Sequence, residues 1–270
     1  MATSIAAARL ITCTRANRRL LVAGGLAIAS AVLAVVGLFP PYQFGVSLGQ
    51  SLGWWPIVIT AALYLSAGAC MLIPRAGPLI GSGLLLGAVA ASSWALMVRV
   101  RDLLAPDGYS GGFWLQLASS LILVVAACLA GLALARATEA RLVRRPPRSA
   151  LPWVVILLGA AGALALVIQD RNLAGIGSRV ILASSIWLTV MALVVPACAA
   201  VAVPRRLGVA LLAGWIGGGA ASYLYYYYLL EGAQISIGPT IAFGLTLLAL
   251  SVAAVPFART TLMARAERVA

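Results

Sequence analysis

The chain contains no histidine and no lysine, and only 6 of its 270 residues are acidic. Without imidazole there is no His-ligated haem, no His-based metal site and no His general base. Without lysine there is no Schiff-base nucleophile, and a catalytic serine would lack a base to take its proton. The acids Asp102, Asp107, Glu139, Asp170, Glu231 and Glu267 all lie between or beyond the long apolar runs, so no carboxylate pair stands at helical spacing within one. The four cysteines, Cys13, Cys70, Cys128 and Cys198, form no C-x-x-C and share no loop. A small buried hydrophobe is the reading that suits them. These absences argue against most enzymes and lead us to expect no metal and no cofactor.

Charge of either sign is scarce, at 9% of residues, while 63% are hydrophobic and the mean hydropathy is +1.05. A soluble domain of this length could not hide so much apolar surface, because its exterior must stay mixed and charged. Lipid removes that requirement, and the class is an all-α, polytopic membrane protein. The formal net charge of +13 comes entirely from arginine. These arginines sit in short segments beside apolar runs, where membrane topology explains them without a nucleic-acid partner. Abundant Ala, Gly, Val and Arg with no Lys suggests a GC-rich bacterial genome.

A hydrocarbon core about 30 Å thick needs about 20 helical residues. Eight runs satisfy this, at residues 20–38, 54–73, 78–98, 113–135, 151–168, 180–203, 207–230 and 237–257. None alternates in the manner of a barrel strand, so eight transmembrane helices are expected. Pro56, Pro78, Pro152 and Pro239 fall in first turns, where a missing N–H costs little. The basic start of the chain resembles an export signal, but its apolar run is too long, and an uncleaved first span is expected. If the amino terminus is cytoplasmic, fifteen of the 19 arginines fall on the inner side and only Arg99, Arg101, Arg171 and Arg179 on the outer. That bias places both termini in the cytoplasm of a bacterial cell membrane. Tyr42, Trp54, Trp55, Tyr109, Phe113 and Trp114 would then form an outer aromatic belt.

The chain also repeats itself. Pro74-Arg75 matches Pro204-Arg205, and Gly87-Ala88-Val89-Ala90-Ala91-Ser92 faces Gly217-Gly218-Gly219-Ala220-Ala221-Ser222 at the same spacing. Two tandem four-span units follow, residues 1–148 and 149–270, parallel because each has an even number of crossings. Arg141, Arg144, Arg145 and Arg148 mark the cytoplasmic linker between them. Gly83-x-x-x-Gly87 and Gly214-x-x-x-Gly218 fall at near-equivalent places, and small residues one turn apart let helix backbones approach closely. Internal packing between the units is the expected use, with homo-oligomer contact as the alternative. Arg101 and Glu231 occupy matching outer positions and could pair if those two spans meet.

Polar side chains gather in the outer halves of the spans. They include Thr60, Tyr64, Ser92, Ser93, Gln116, Ser119, Ser120, Ser184, Ser185, Ser222 and Tyr223. The simple reading is hydrogen bonding between helices and back to their own turns. The sharper one is a polar vestibule open to the outside, with Ser92, Ser93, Gln116, Ser119, Ser184, Tyr223 and Tyr226 as candidate ligand-binding residues. Most of the run Tyr225–Tyr228 is expected to be interfacial, since consecutive helical residues point about 100° apart. Two functions fit: a non-enzymatic accessory or interaction component contacting lipid or a membrane partner, and a permease for a neutral or lipophilic small molecule. Cys13 tests the orientation: a membrane-impermeant thiol reagent is expected to label it only after the cells are opened.

Overall fold

The computed structural model describes residues 2–52, 54–73, 77–103, 109–136, 141–142, 153–158, 160–161, 179–203, 205–229 and 248. All but one residue of the expected eighth span and most of the fifth lie outside these residues. The described chain is mostly helical: α1 (Ala2–Val36), α2 (Leu48–Leu52), α3 (Trp55–Leu72), α4 (Gly77–Leu103), α5 (Gly111–Arg136), α6 (Arg179–Val201) and α7 (Arg205–Leu229). Three helical segments are long and apolar enough to cross a membrane, Arg18–Val36 within α1, Trp55–Leu72 and Gly111–Arg136. Shorter apolar stretches, Gly77–Ser93, Val190–Ala200 and Arg206–Ala221, lie in α4, α6 and α7.

Proline sets several boundaries. Pro56 occupies the first turn of α3, and Ile73, the residue before Pro74, turns extended at φ −80°, ψ 127° and closes that helix. The proline ring disfavours helical geometry in the residue before it, so the stop is local. Pro196 lies inside α6, where it removes one helical N–H.

Helices α1, α3, α4 and α5 form a closed ring in which each touches the next and α5 returns to α1. α7 lies against α4 and α3, and α6 packs on α7 and α4. The ring core is built from small side chains: Ala23, Ala27 and Ala31 of α1, Ala61 and Ala67 of α3, Ala88 of α4, and Ala126 and Ala130 of α5. Tyr64, Met71, Leu85 and Leu123 are buried among them, while many other large residues, Leu21, Val22, Val32, Leu65, Leu121, Val125 and Leu132, are exposed. Water would drive those side chains inward, whereas lipid solvates them and leaves close backbone packing to hold the helices together.

Closest of all is the meeting of α4 with α7. A Cβ at Gly87 would run into the backbone of Leu211 and Trp215, and one at Gly214 into that of Leu84 and Ala88. A Cβ at Gly83 would come within 2.9 Å of Ala210 Cβ, and one at Gly218 within 2.7 Å of Ala91 Cβ. Both glycine pairs expected to pack therefore do so, and against each other. Gly83 with Ala210 and Ala91 with Gly218 are both 127 residues apart, so the two helices run parallel. The proposed partner of Arg101, Glu231, lies outside the described residues.

Two small sheets lie among the described residues. β1 (Pro41–Gln43) pairs antiparallel with β2 (Val46–Ser47) through a two-residue turn, Phe44-Gly45, with φ of 48° and 79°. Left-handed geometry at both central residues matches the twist a tight hairpin needs. Ser47 and Gln50 then cap α2 reciprocally, Ser47 N donating to Gln50 Oε1 at 3.1 Å and Gln50 N to Ser47 Oγ at 3.4 Å. Elsewhere β3 (Arg141–Leu142), from the expected linker, pairs with β4 (Ala202–Val203) beside the turn joining α6 to α7.

Glycine substitutions separate close contact from mere composition. Gly87→Ala and Gly214→Ala are expected to cost about 1–3 kcal/mol each through overpacking. Gly25→Ala and Gly131→Ala, where an added Cβ meets nothing within 4 Å, should be neutral or gain about 0.5–1 kcal/mol. Unfolding in mixed detergent micelles reads both.

Candidate functional site in the hairpin half of the bundle

The end of the ring that carries the β1–β2 hairpin is held by aromatic and backbone contacts. Tyr42 of β1 meets Phe113 edge-on at 5.7 Å and Tyr109 at 6.1 Å, and Tyr109 stacks on Phe113 at 4.4 Å. Ser110 N donates to Tyr42 O at 3.1 Å, and its hydroxyl donates to Pro41 O. A Cβ at Gly112 would come within 2.7 Å of Pro40 O and 2.8 Å of Pro41 O, so only glycine lets α5 start this close to the loop. Phe113 is fully buried beneath this cap.

Below the cap lie two groups of polar side chains. In the first, Ser30 of α1 donates to Ser119 O of α5 at 2.9 Å, and Ser119 returns a bond to Ser30 O at 2.9 Å. Their Oγ atoms are 3.1 Å apart, and both residues are buried. One turn nearer the cap, Gln116 Nε2 donates to Ala34 O at 2.7 Å. In the second group, the Tyr64 hydroxyl of α3 lies 2.8 Å from Ser92 Oγ of α4, while Ser92 also bonds back to Ala88 O at 2.8 Å.

Arg99 ties the groups together. Sequence placed it beyond the third span, but α4 continues to Leu103, and the half-buried side chain reaches across to α5. Its guanidinium donates to Ser120 Oγ and, at 3.4 Å, to Gln116 Oε1. It also lies near enough to Tyr64 to act on that hydroxyl electrostatically. Ser120 is nine residues into α5, about 14 Å along the helix, so the cation is directed well inside the bundle. Arg99 stands four residues from the end of α4, so its aliphatic stem carries the guanidinium inward to these acceptors while its Cα stays near the end of the helix. Among the described residues it has no carboxylate partner.

The expected ligand residues divide accordingly. Gln116 and Ser119 are buried on the face of α5 that meets α1. Ser92 faces α3 through Tyr64, and Ser93 bonds to Ala90 O at 2.7 Å within α4. Ser184 lies on α6, and Tyr223 and Tyr226 on α7, with their side chains outside what the structure describes. Reading the sequence missed Ser30 and Arg99. Ser30 follows Ala23 and Ala27 on the small-residue stripe of α1, a position that would have pointed it inward. Among the described residues no three Cys, Asp or Glu side chains come together. Compared with protein-family models, curated proteins and solved structures, the chain matches none of them.

The Ser30–Ser119 pair is open to a double-mutant cycle. The coupling between Ser30→Ala and Ser119→Ala is expected to be about 0.6 kcal/mol and no more than about 1.7, the range for hydrogen bonds between membrane helices. Strictly additive losses would mean that the two hydroxyls act separately.

Proposed function

We propose that this chain is a non-enzymatic integral protein of the bacterial cytoplasmic membrane, acting through contacts with lipid or with another membrane protein. Its eight spans form two tandem, parallel four-span units with both termini in the cytoplasm. One observation carries the functional part. The four candidate ligand residues whose side chains are described, Ser92, Ser93, Gln116 and Ser119, all make hydrogen bonds to neighbouring helices or to their own. Groups engaged in this way hold helices in register and are poorly free to bind a solute. The parallel run of α4 and α7 supports the duplication, since the third and seventh spans of two four-span units have three spans between them and so cross in the same direction.

A second reading has its own support. Arg99 sits among Gln116, Ser120 and Tyr64 without a carboxylate among the described residues, in the half of the bundle expected to face outward. A permease for a neutral or lipophilic small molecule would place its polar vestibule there, between two units able to rock about the α4–α7 contact.

Purification in mild detergent distinguishes the two. A protein partner in fixed stoichiometry is expected, and a solitary chain enclosing a small molecule would favour transport. Cysteines introduced at Ser92, Gln116 and Ser184 should resist polar thiol reagents added from outside, and ready labelling of all three would restore the vestibule.

A further inference from the structure

Of the aromatic residues expected to form an outer belt, Tyr42, Tyr109 and Phe113 pack on one another in the cap, and Trp54, Trp55 and Trp114 stay exposed. Two residues outside that expectation join the exposed set, Phe39 after α1 and Phe44 at the tip of the hairpin, which is 77% exposed. The connection between α1 and α3 is therefore apolar on two sides. Its inner side, Leu38 and Leu48, is buried with Ala34 and Ile57, and Tyr42 packs alongside. Its outer side shows Phe39, Phe44, Val46, Trp54 and Trp55. From Leu20 to Pro74 no residue is charged, so no ionised group holds the connection in bulk water. A loop in water keeps its exposed large apolar residues few and scattered.

The outer side continues the exposed apolar stripes of two membrane-crossing segments. Val32 and Val36 lead along α1 to Phe39, and Trp54 and Trp55 lead into Val58 and Leu65 on α3. Phe39 meets Trp54 edge-on at 5.2 Å, which joins the two stripes where the helices end. An indole, with its apolar ring and one N–H, suits the boundary between hydrocarbon and water. The tip supplies a second, independent sign. Phe44 has a φ of 48°, a left-handed geometry that glycine and asparagine take readily and a bulky residue rarely. The hairpin is fixed from behind by Ser110 on Tyr42 and by the reciprocal cap of Ser47 and Gln50, so the conformation is imposed and the ring is displayed. Backbone strain held in this way points to a use for the side chain that bears it. We infer that the β1–β2 hairpin is an anchor in the outer leaflet of the membrane, with Phe44 seated among the glycerol groups and upper acyl carbons. The hairpin carries no charge, so it takes lipid of either headgroup charge. The anchor rests on the reading that lipid surrounds these helices, and it names the part of the chain that grips one leaflet.

Fluorescence quenching in lipid nanodiscs tests it, on the full chain with its native cysteines replaced by alanine and a bimane label at Val46→Cys beside the tip. Lipid brominated near the top of its acyl chains should quench the label more than lipid brominated near the chain ends. Aqueous acrylamide should quench it several-fold less than it quenches the free dye. Phosphatidylcholine and phosphatidylglycerol discs should give the same result, at low and at high salt, because apolar burial and not charge seats the tip. Phe44→Asn, which suits the left-handed turn, should keep the melting temperature in detergent and yet open the label several-fold to acrylamide, whereas Phe44→Trp should leave it shielded. Should Phe44→Asn melt lower, the label in the chain with its native Phe44 decides alone. A label as open to acrylamide as the free dye, or one indifferent to a well-folded Phe44→Asn, would overturn the anchor. A label shielded from acrylamide and from brominated lipid alike would also overturn it, in favour of protein covering the tip. Failure of the membrane reading looks different, because the chain would then stay dispersed without detergent and enter no disc.

Discussion

Four glycines allow the backbones of α4 and α7 to touch, and the placing of α7 and α6 against the ring depends on that contact. Lipid tails are as apolar as leucine, so burying a leucine between two membrane helices gains little over leaving it in lipid. What distinguishes one arrangement from another is how closely the backbones approach and whether polar groups find partners. Gly83, Gly87, Gly214 and Gly218 supply the approach, and any side chain beyond hydrogen at these positions meets a neighbouring backbone or Cβ. Once α7 is fixed on α4, it also meets α3, and α6 is carried with it against the same side of the ring.

The polar residues do the complementary work inside the ring. Ser30, Ser119 and Gln116 tie α1 to α5 where the small-residue stripes already bring the backbones together. Tyr64 and Ser92 tie α3 to α4, and Arg99 joins α4 to α5. The hairpin and its aromatic cluster close this end and join the loop after α1 to the start of α5. The other end keeps its charge for the boundary, with Arg18 and Arg19 on α1 and Arg136 in the last turn of α5. The two ends therefore differ in chemistry, one held by internal bonds and the other carrying the exposed Arg18 and Arg136.

Much of this was legible in the sequence because the bilayer imposes a simple code. The three membrane-crossing segments coincide with expected spans, since unbroken apolar length is what a bilayer demands. The glycine pairs were visible because only small residues permit such contact. The reach of Arg99 to α5 was hidden because hydropathy ends a span at the first charge, while a long aliphatic stem lets an arginine head reach several ångströms from its own Cα. The hairpin at Pro41–Ser47 was hidden because Phe44 takes a positive φ that its residue type rarely adopts, so no turn signal marked it. Ser30 was overlooked because its partner is 89 residues away, and local pattern carries no information about that pairing.

The α4–α7 contact is tested most directly by cross-linking. In a chain with its four native cysteines replaced by alanine and the four contact glycines kept, Ala91→Cys and Trp215→Cys, two members of one packed cluster, should be joined by mild oxidation or by a short thiol cross-linker. The two halves should then stay joined after cleavage at a protease site inserted following Arg148. The pair Ser30→Cys and Ser119→Cys, within the first half, serves as a control for oxidation. If the control pair closes while the thiols introduced on α4 and α7 remain free and the halves separate, the contact is wrong and the architecture built on it fails.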